Sequence, residues 1–295
     1  MAKGTRTLTL IAAAMAVAGL AIAWATPAEA GEVAVDLELV LAVDVSGSVD
    51  EVEGELQRQG YLAALRDPRV IRTIRAGPHR RIAVSYMEWA GVDYQVTIAK
   101  WAQIHDAKSA QAFANVIDRV PVFSGPWTSI STAIDHAAAM FEGNGYRGTR
   151  RVIDISGDGP NNRGRPVAAA RDEAVGRGIT INGLPIINDR VNPWGGPPFA
   201  DLDIYYEEFV IGGPGAFIIR ATSFKTFAAA ILSKLIKEIA AAPAPSPRDQ
   251  ALAIWAGPSS STQPARCSPW LSRQCRRWTW TWSWAPSCSS RSPHR

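Results

Sequence analysis

From Val35 to Ile239 the chain alternates short apolar runs with stretches of helical period, and that alternation restricts it to one fold class. Residues 35–43 read as an apolar strand, and residues 50–65 as a helix that stops before Asp67-Pro68. Residues 81–89 and 94–101 are two strands whose four-residue connection, Ala90-Gly91-Val92-Asp93, makes them an antiparallel hairpin. Helices follow over 109–119 and 129–141, the second with Ile130, Ile134 and Ala138 spaced for one buried face. Next come a strand over 151–156, a Gly/Asn loop over 157–164, and a helix with Pro166 in its first turn that Gly178 ends. A strand over 179–186, a Pro/Gly-rich loop over 188–198, a short aromatic helix over 202–210 and a last strand over 217–220 complete the series. Ser223 then caps a closing helix carrying Phe224, Phe227, Ile231, Leu235 and Ile239 along one side. The order predicts an α/β fold: a three-layer α/β/α sandwich around a mostly parallel, doubly wound sheet with one antiparallel edge strand.

The two ends read differently. Lys3 and Arg6 form a basic start, residues 8–24 are almost wholly apolar, and Ala28-Glu29-Ala30 is a small-x-small cleavage site. That layout predicts a signal peptide over residues 1–30 and an exported protein, periplasmic or secreted, whose mature chain begins at Gly31. An uncleaved anchor is the alternative, because the apolar run approaches the roughly 17 residues a spanning helix needs. Cys267, Cys275 and Cys288 all lie beyond residue 240 and lack C-x-x-C spacing, so the domain over 31–240 must be held by its own core. The tail over 241–295 is rich in Pro, Ser, Arg and Trp and has no helical or strand period. It reads either as a cationic membrane-surface segment or as an out-of-frame extension. Its seven arginines against one acid, Asp249, account for the net charge of +4 and leave residues 1–240 net negative. Net charge therefore gives no reason to expect a nucleic-acid partner.

Candidate chemistry lies where strands end. Asp44-Val45-Ser46-Gly47-Ser48 follows the first strand, and a strand end feeding a glycine turn can hold three oxygen ligands at fixed geometry. Thr128 stands in Gly125-Pro126-Trp127-Thr128-Ser129, and Asp158 in Ile155-Ser156-Gly157-Asp158-Gly159. Each fragment has a plainer reading. Ser48 or Asp50 before Glu53 resembles a capping box, Thr128 can cap the helix after it, and Asp-Gly is a common turn pair. In α/β sheets ligands sit beyond the carboxyl ends of strands, so the predicted topology brings all three loops to one edge of the sheet. Asn161 and Asn162 read either as supports for that site or as turn residues. The histidines at 79, 105, 136 and 294 are scattered without ligand spacing.

Asp44, Ser46, Ser48, Thr128 and Asp158 together resemble the metal-ion-dependent adhesion site of von Willebrand factor A-type domains. Four phrases are similar to a narrower group of A-like proteins of unknown function exported by proteobacteria: residues 151–162, Tyr205-Tyr206, residues 210–217 and residues 234–239. The likeness covers about residues 33–240. One departure is Ser156-Gly157-Asp158, since the commoner A-type pattern is Thr-Asp-Gly.

The resemblance implies that Ser46 and Ser48 bind a divalent ion directly, Thr128 directly or through water, and Asp44 and Asp158 largely through water. It further implies an open position that takes an Asp or Glu from a partner protein. Mg2+ is the expected ion, with Mn2+ next, because the donors are oxygens suited to an octahedral shell. The expected function is thus a non-enzymatic, metal-dependent protein-binding module of the cell envelope. The rim is expected at the Asp50-Glu51 turn, at Pro126-Trp127 with Trp127 as an apolar anchor, and at the loop over 161–165. A metal-assisted hydrolase and a structural subunit with a stabilising ion are the alternatives.

Overall fold

The structure, a computed structural model, describes residues 31–187, 199, 201–223 and 226–241. The expected signal peptide, the 188–198 loop, Phe224 and the tail beyond Ala241 lie outside the described residues. Seven strands are present among them: β1 (Val33–Val35), β2 (Glu38–Asp44), β3 (Ile82–Trp89), β4 (Gln95–Ile104), β5 (Tyr146–Gly148), β6 (Arg151–Gly157) and β7 (Ile179–Pro185). The helices are α1 (Glu51–Arg66), α2 (Pro68–Ala76), α3 (Ala107–Asp118), α4 (Ile130–Ala139), α5 (Val167–Gly176), α6 (Leu202–Tyr205) and α7 (Phe227–Ala240). The main sheet has the order β4-β3-β2-β6-β7, parallel except for the antiparallel β3–β4 pair, and β1 pairs with β5 in a separate two-stranded sheet.

β2 lies in the middle of the main sheet and is buried along its whole length, which is why it reads as a nearly continuous apolar run. Its side chains alternate between two cores. Leu39, Leu41 and Val43 pack with α1, α2, α3 and α7 on one face. Val40 and Ala42 pack with α4, α5 and α6 on the other. Each such side chain contributes about 1.5–3 kcal/mol when fully buried. The one buried charge on β2 before its end, Glu38, is met by Asn144 Nδ2 at 2.6 Å and by the Gly148 amide.

Three details correct the sequence reading. Asp67-Pro68 not only ends α1 but starts α2. Asp67 Oδ1 accepts the Arg69 amide at 2.7 Å and Pro68 occupies the first turn, where its missing N–H costs nothing. Residues 217–220 do not form a strand; Ile218 makes an isolated bridge to Gly183 of β7, the Phe217 amide bonds Asn182 Oδ1, and a second isolated bridge joins Ile186 and Ala221 just beyond. Pro185 interrupts the ladder, because its nitrogen has no hydrogen to donate between the bonds made by Gly183 and Ile187. Ser223 does not cap α7, whose N-cap position is Thr226; instead Ser223 Oγ accepts the Thr226 amide at 3.3 Å in the turn before it.

A buried ionic cluster ties α7 to the sheet. Lys234 lies 2.5 Å from Asp154 of β6 and 2.5 Å from Glu238 of its own helix, and Asn182 of β7 donates to Glu238 at 3.0 Å. Burial, and then the neighbouring Glu238, push the Asp154 carboxyl up to about 7, against the attraction of Lys234.

Candidate metal centre

β2 and β6 are parallel neighbours, so their carboxyl ends reach the same edge of the sheet, with Asp44 closing one and Asp158 following the other. Asp44 is wholly buried, and its Oδ1 accepts the Ser46 amide at 2.7 Å. That two-residue turn bends the chain so that the Ser46 and Ser48 hydroxyls lie 3.2 Å apart. Ser48 Oγ donates to Asp158 Oδ1 at 2.5 Å. Four of the expected residues therefore form one hydrogen-bonded cluster.

Thr128 arrives on a third loop, fastened to the first by backbone contacts. Gly125 donates to the Val45 carbonyl at 2.9 Å and Ser129 to Ala90 at 2.8 Å, while Val45 itself donates to Trp89. Two asparagines past Asp158 hold the same loop from the other side. Asn162 Oδ1 accepts the Thr128 amide at 2.9 Å, and Asn161 Oδ1 accepts the Ser131 amide at 3.0 Å in the first turn of α4. Thr128 is buried and joined to the Asp158 loop through this clip.

The plainer readings divide. The capping box exists, but Asp50 makes it: its carboxylate accepts the Glu53 amide at 2.9 Å while Glu53 accepts the Asp50 amide at 3.1 Å. Ser48 is left to face Asp158. The N-cap position of α4 belongs to Ser129 rather than Thr128, and it makes no side-chain cap. Asn161 supplies that acceptor instead, so both asparagines support the site.

The electrostatics disfavour a charged Asp44 beside Asp158. Burial, and then repulsion from Asp158, hold the Asp44 carboxyl well above the usual carboxylate range, although the amides of Ser46 and Asp158 oppose the shift. Asp44 Oδ2 is buried without a hydrogen-bond partner. Two adjoining carboxylates and two hydroxyls that face one another make a donor set of oxygens only, which fits a hard divalent cation. Among the described residues no three His, Cys, Asp or Glu side chains gather into a group.

Two supporting residues escape the sequence reading. Gln57 of α1 donates to the Asp44 carbonyl at 2.8 Å and accepts from Ser156 Oγ at 3.3 Å, and Tyr61 donates to the same Ser156 at 3.1 Å. Their signal was a buried polar stripe, Glu53, Gln57 and Tyr61 at four-residue steps. Arg58 pairs with the buried Glu88 at the end of β3 and donates to the carbonyls of Val120 and Pro121, fixing the stretch that leads to Thr128. At the rim, Trp127 is 55% exposed with a left-handed backbone, φ 67°, and Arg163 lies over its ring at 3.8 Å.

Sheet order, antiparallel edge and site position together define a von Willebrand factor A-like domain. The chain belongs to the family described as "Protein of unknown function (DUF1194)", whose sequence pattern matches residues 34–243. No curated protein matches the chain. Among solved structures, proximal thread matrix protein 1 from the mussel byssus is similar with TM-score 0.53 and 14% identity, over 71% of this chain and 49% of that one. The same mussel protein has been solved with a zinc-occupied MIDAS motif. The pilus adhesin SpaC from Lactobacillus rhamnosus GG is similar with TM-score 0.50 and 14% identity, over 71% of this chain and 31% of the adhesin. The chain thus matches about half the length of the mussel protein and a third of the adhesin.

Proposed function

We propose that the domain is a divalent-metal-dependent protein-binding module of the cell envelope, periplasmic or secreted, that captures an acidic side chain of a partner protein. The observation that carries this reading is the hydrogen bond between Ser48 and Asp158, which closes an all-oxygen cluster of Asp44, Ser46, Ser48 and Asp158 at one edge of the sheet. In this reading Ser46 and Ser48 hold the ion directly, Thr128 directly or through water, and Asp44 and Asp158 supply the neutralising charge largely through bound water. Mg2+ suits these donors best and Mn2+ next, since both accept octahedral oxygen shells. A bound cation beside low-dielectric surroundings attracts a partner's Asp or Glu with fixed direction.

Trp127 supports a recognition role. A non-glycine residue with positive φ is strained by about 1–3 kcal/mol, and such strain clusters at ligand-binding positions. Here it holds an indole outward beside Thr128 with Arg163 across its face. The reading is of a binder rather than an enzyme; Glu88, the carboxylate on β3, is paired with Arg58. Among the described residues no helix is long and apolar enough to cross a membrane. The test is capture from envelope extract by the immobilised protein in Mg2+ and in EDTA, with Asp44→Ala as control. Capture that EDTA and Asp44→Ala both abolish supports the proposal, and capture indifferent to both overturns it.

A further inference from the structure

We propose that Tyr206 is a positioning residue of the metal centre, its phenol the outer hydrogen-bond donor that orients the Asp44 carboxylate; this rests on the metal reading above. Tyr206 is fully buried, yet its hydroxyl has no hydrogen-bond partner, and neither has Asp44 Oδ2. A buried phenol without a partner costs about 1–3 kcal/mol, so a fold that keeps one where phenylalanine would fit uses it for something. The two orphan oxygens border the same glycine. A Cβ placed on Gly157 would meet Asp44 Oδ2 at 2.8 Å and Tyr206 Oη at 2.8 Å, so both oxygens face the same point at the end of β6.

The space for the ring is built by two glycines on adjacent strands. Gly157 admits the hydroxyl, and Gly183 of β7 admits the ring, because a Cβ there would lie 2.6 Å from Tyr206 Cδ1. Leu202, Tyr206 and Val210 form the buried side of the short helical stretch. That stretch widens into a π turn over Tyr206–Val210, closed by the Ile211 amide on the Tyr206 carbonyl at 2.9 Å. The departure from the commoner A-type pattern now has a physical account. Where that pattern sets threonine directly before the aspartate, this chain sets Gly157 before Asp158, and any side chain at 157 would enter the gap between Tyr206 and Asp44. Outer groups that orient a metal's carboxylates are worth 10–100-fold in affinity. With an ion bound, Tyr206 would donate to Asp44 Oδ2 through one water and so leave the other oxygen and the serine hydroxyls aligned for the ion.

The test is Tyr206→Phe in the otherwise unaltered protein, with Mg2+ affinity by calorimetry and melting temperature in EDTA. The expected result is about tenfold weaker Mg2+ binding with an EDTA melting temperature equal to or above that of the unsubstituted protein, since a buried orphan hydroxyl has been removed. A merely structural tyrosine would instead lower the metal-free melting temperature and leave affinity unchanged. Gly157→Ala, which intrudes on both oxygens, is expected to weaken Mg2+ binding likewise. Unchanged affinity in Tyr206→Phe, while the unsubstituted protein binds Mg2+ and Asp44→Ala does not, overturns this proposal alone. Absence of saturable Mg2+ binding by the unsubstituted protein overturns the metal reading and this proposal with it.

Discussion

Ser48 and Asp158, 110 residues apart in the chain, are joined by a 2.5 Å hydrogen bond between side chains. The contact exists because β2 and β6 are parallel neighbours whose loops leave the same edge, and because Asp50 relieves Ser48 of any capping duty. It brings Asp158 beside the buried Asp44, whose carboxyl is raised by burial and by that neighbour, and the first expectation follows from that shift.

Metal-free stability should fall as pH rises. Burial and Asp158 raise the Asp44 carboxyl in the folded state above its unfolded value of about 3.9, so folding favours the protonated form. The contribution is fully present below about pH 4 and is lost as pH rises through the raised folded value. In EDTA the melting temperature is expected to decline from pH 5 upward, and Mg2+ to restore it at neutral pH. Asp44→Asn should make the decline shallower, leaving the part due to Asp154, and should remove the Mg2+ response. An EDTA melting temperature that climbs over this range contradicts the assignment.

Asp154 gives an independent pH signature on the opposite face of the sheet. Its carboxyl titrates near 7 because burial and Glu238 outweigh the help of Lys234, so wild-type stability is lost between about pH 4 and pH 7. Asp154→Asn mimics the protonated form. Urea unfolding at pH 5 and pH 8 is expected to shift in the variant's favour by a few kcal/mol relative to wild type on going to the higher pH. A difference between the two proteins that is constant with pH would count against it.

Much of the fold was legible because its signals are local. The apolar strand ending in Asp44-Val45-Ser46-Gly47-Ser48, the four-residue hairpin link and the helix periods each act over a few residues. What was missed depends on tertiary placement. Asp67-Pro68 reads as a stop from one side and a start from the other, and only packing of Val70, Ile71 and Ile74 makes α2 worth forming. The strand expected over 217–220 fails through Pro185 on its partner, which its own sequence cannot reveal. In the candidate site, Asp44, Ser46, Ser48 and Asp158 were read from their motif, and the fold brings these four into one hydrogen-bonded cluster. Tyr206 entered only as part of a family phrase, with no role at the site, because a tyrosine on an aromatic helix looks like core until Gly157 and Gly183 are seen to make room for it.

The clamp behind the Thr128 loop should be costly to break from one side. Arg58→Met leaves Glu88 buried without its cation, a loss of about 3–5 kcal/mol in denaturant unfolding. Replacing both partners, as Arg58→Met with Glu88→Gln, is expected to recover most of that loss. If the double variant is as unstable as the single one, the pair is not what Arg58 contributes.

The most direct measurement is a calorimetric titration of Mg2+ into the purified protein and its Asp44→Ala variant. The account requires saturable binding of one ion that disappears with Asp44→Ala, while circular dichroism of the variant stays that of the folded domain. Equal binding by both proteins, or none by either, would contradict it.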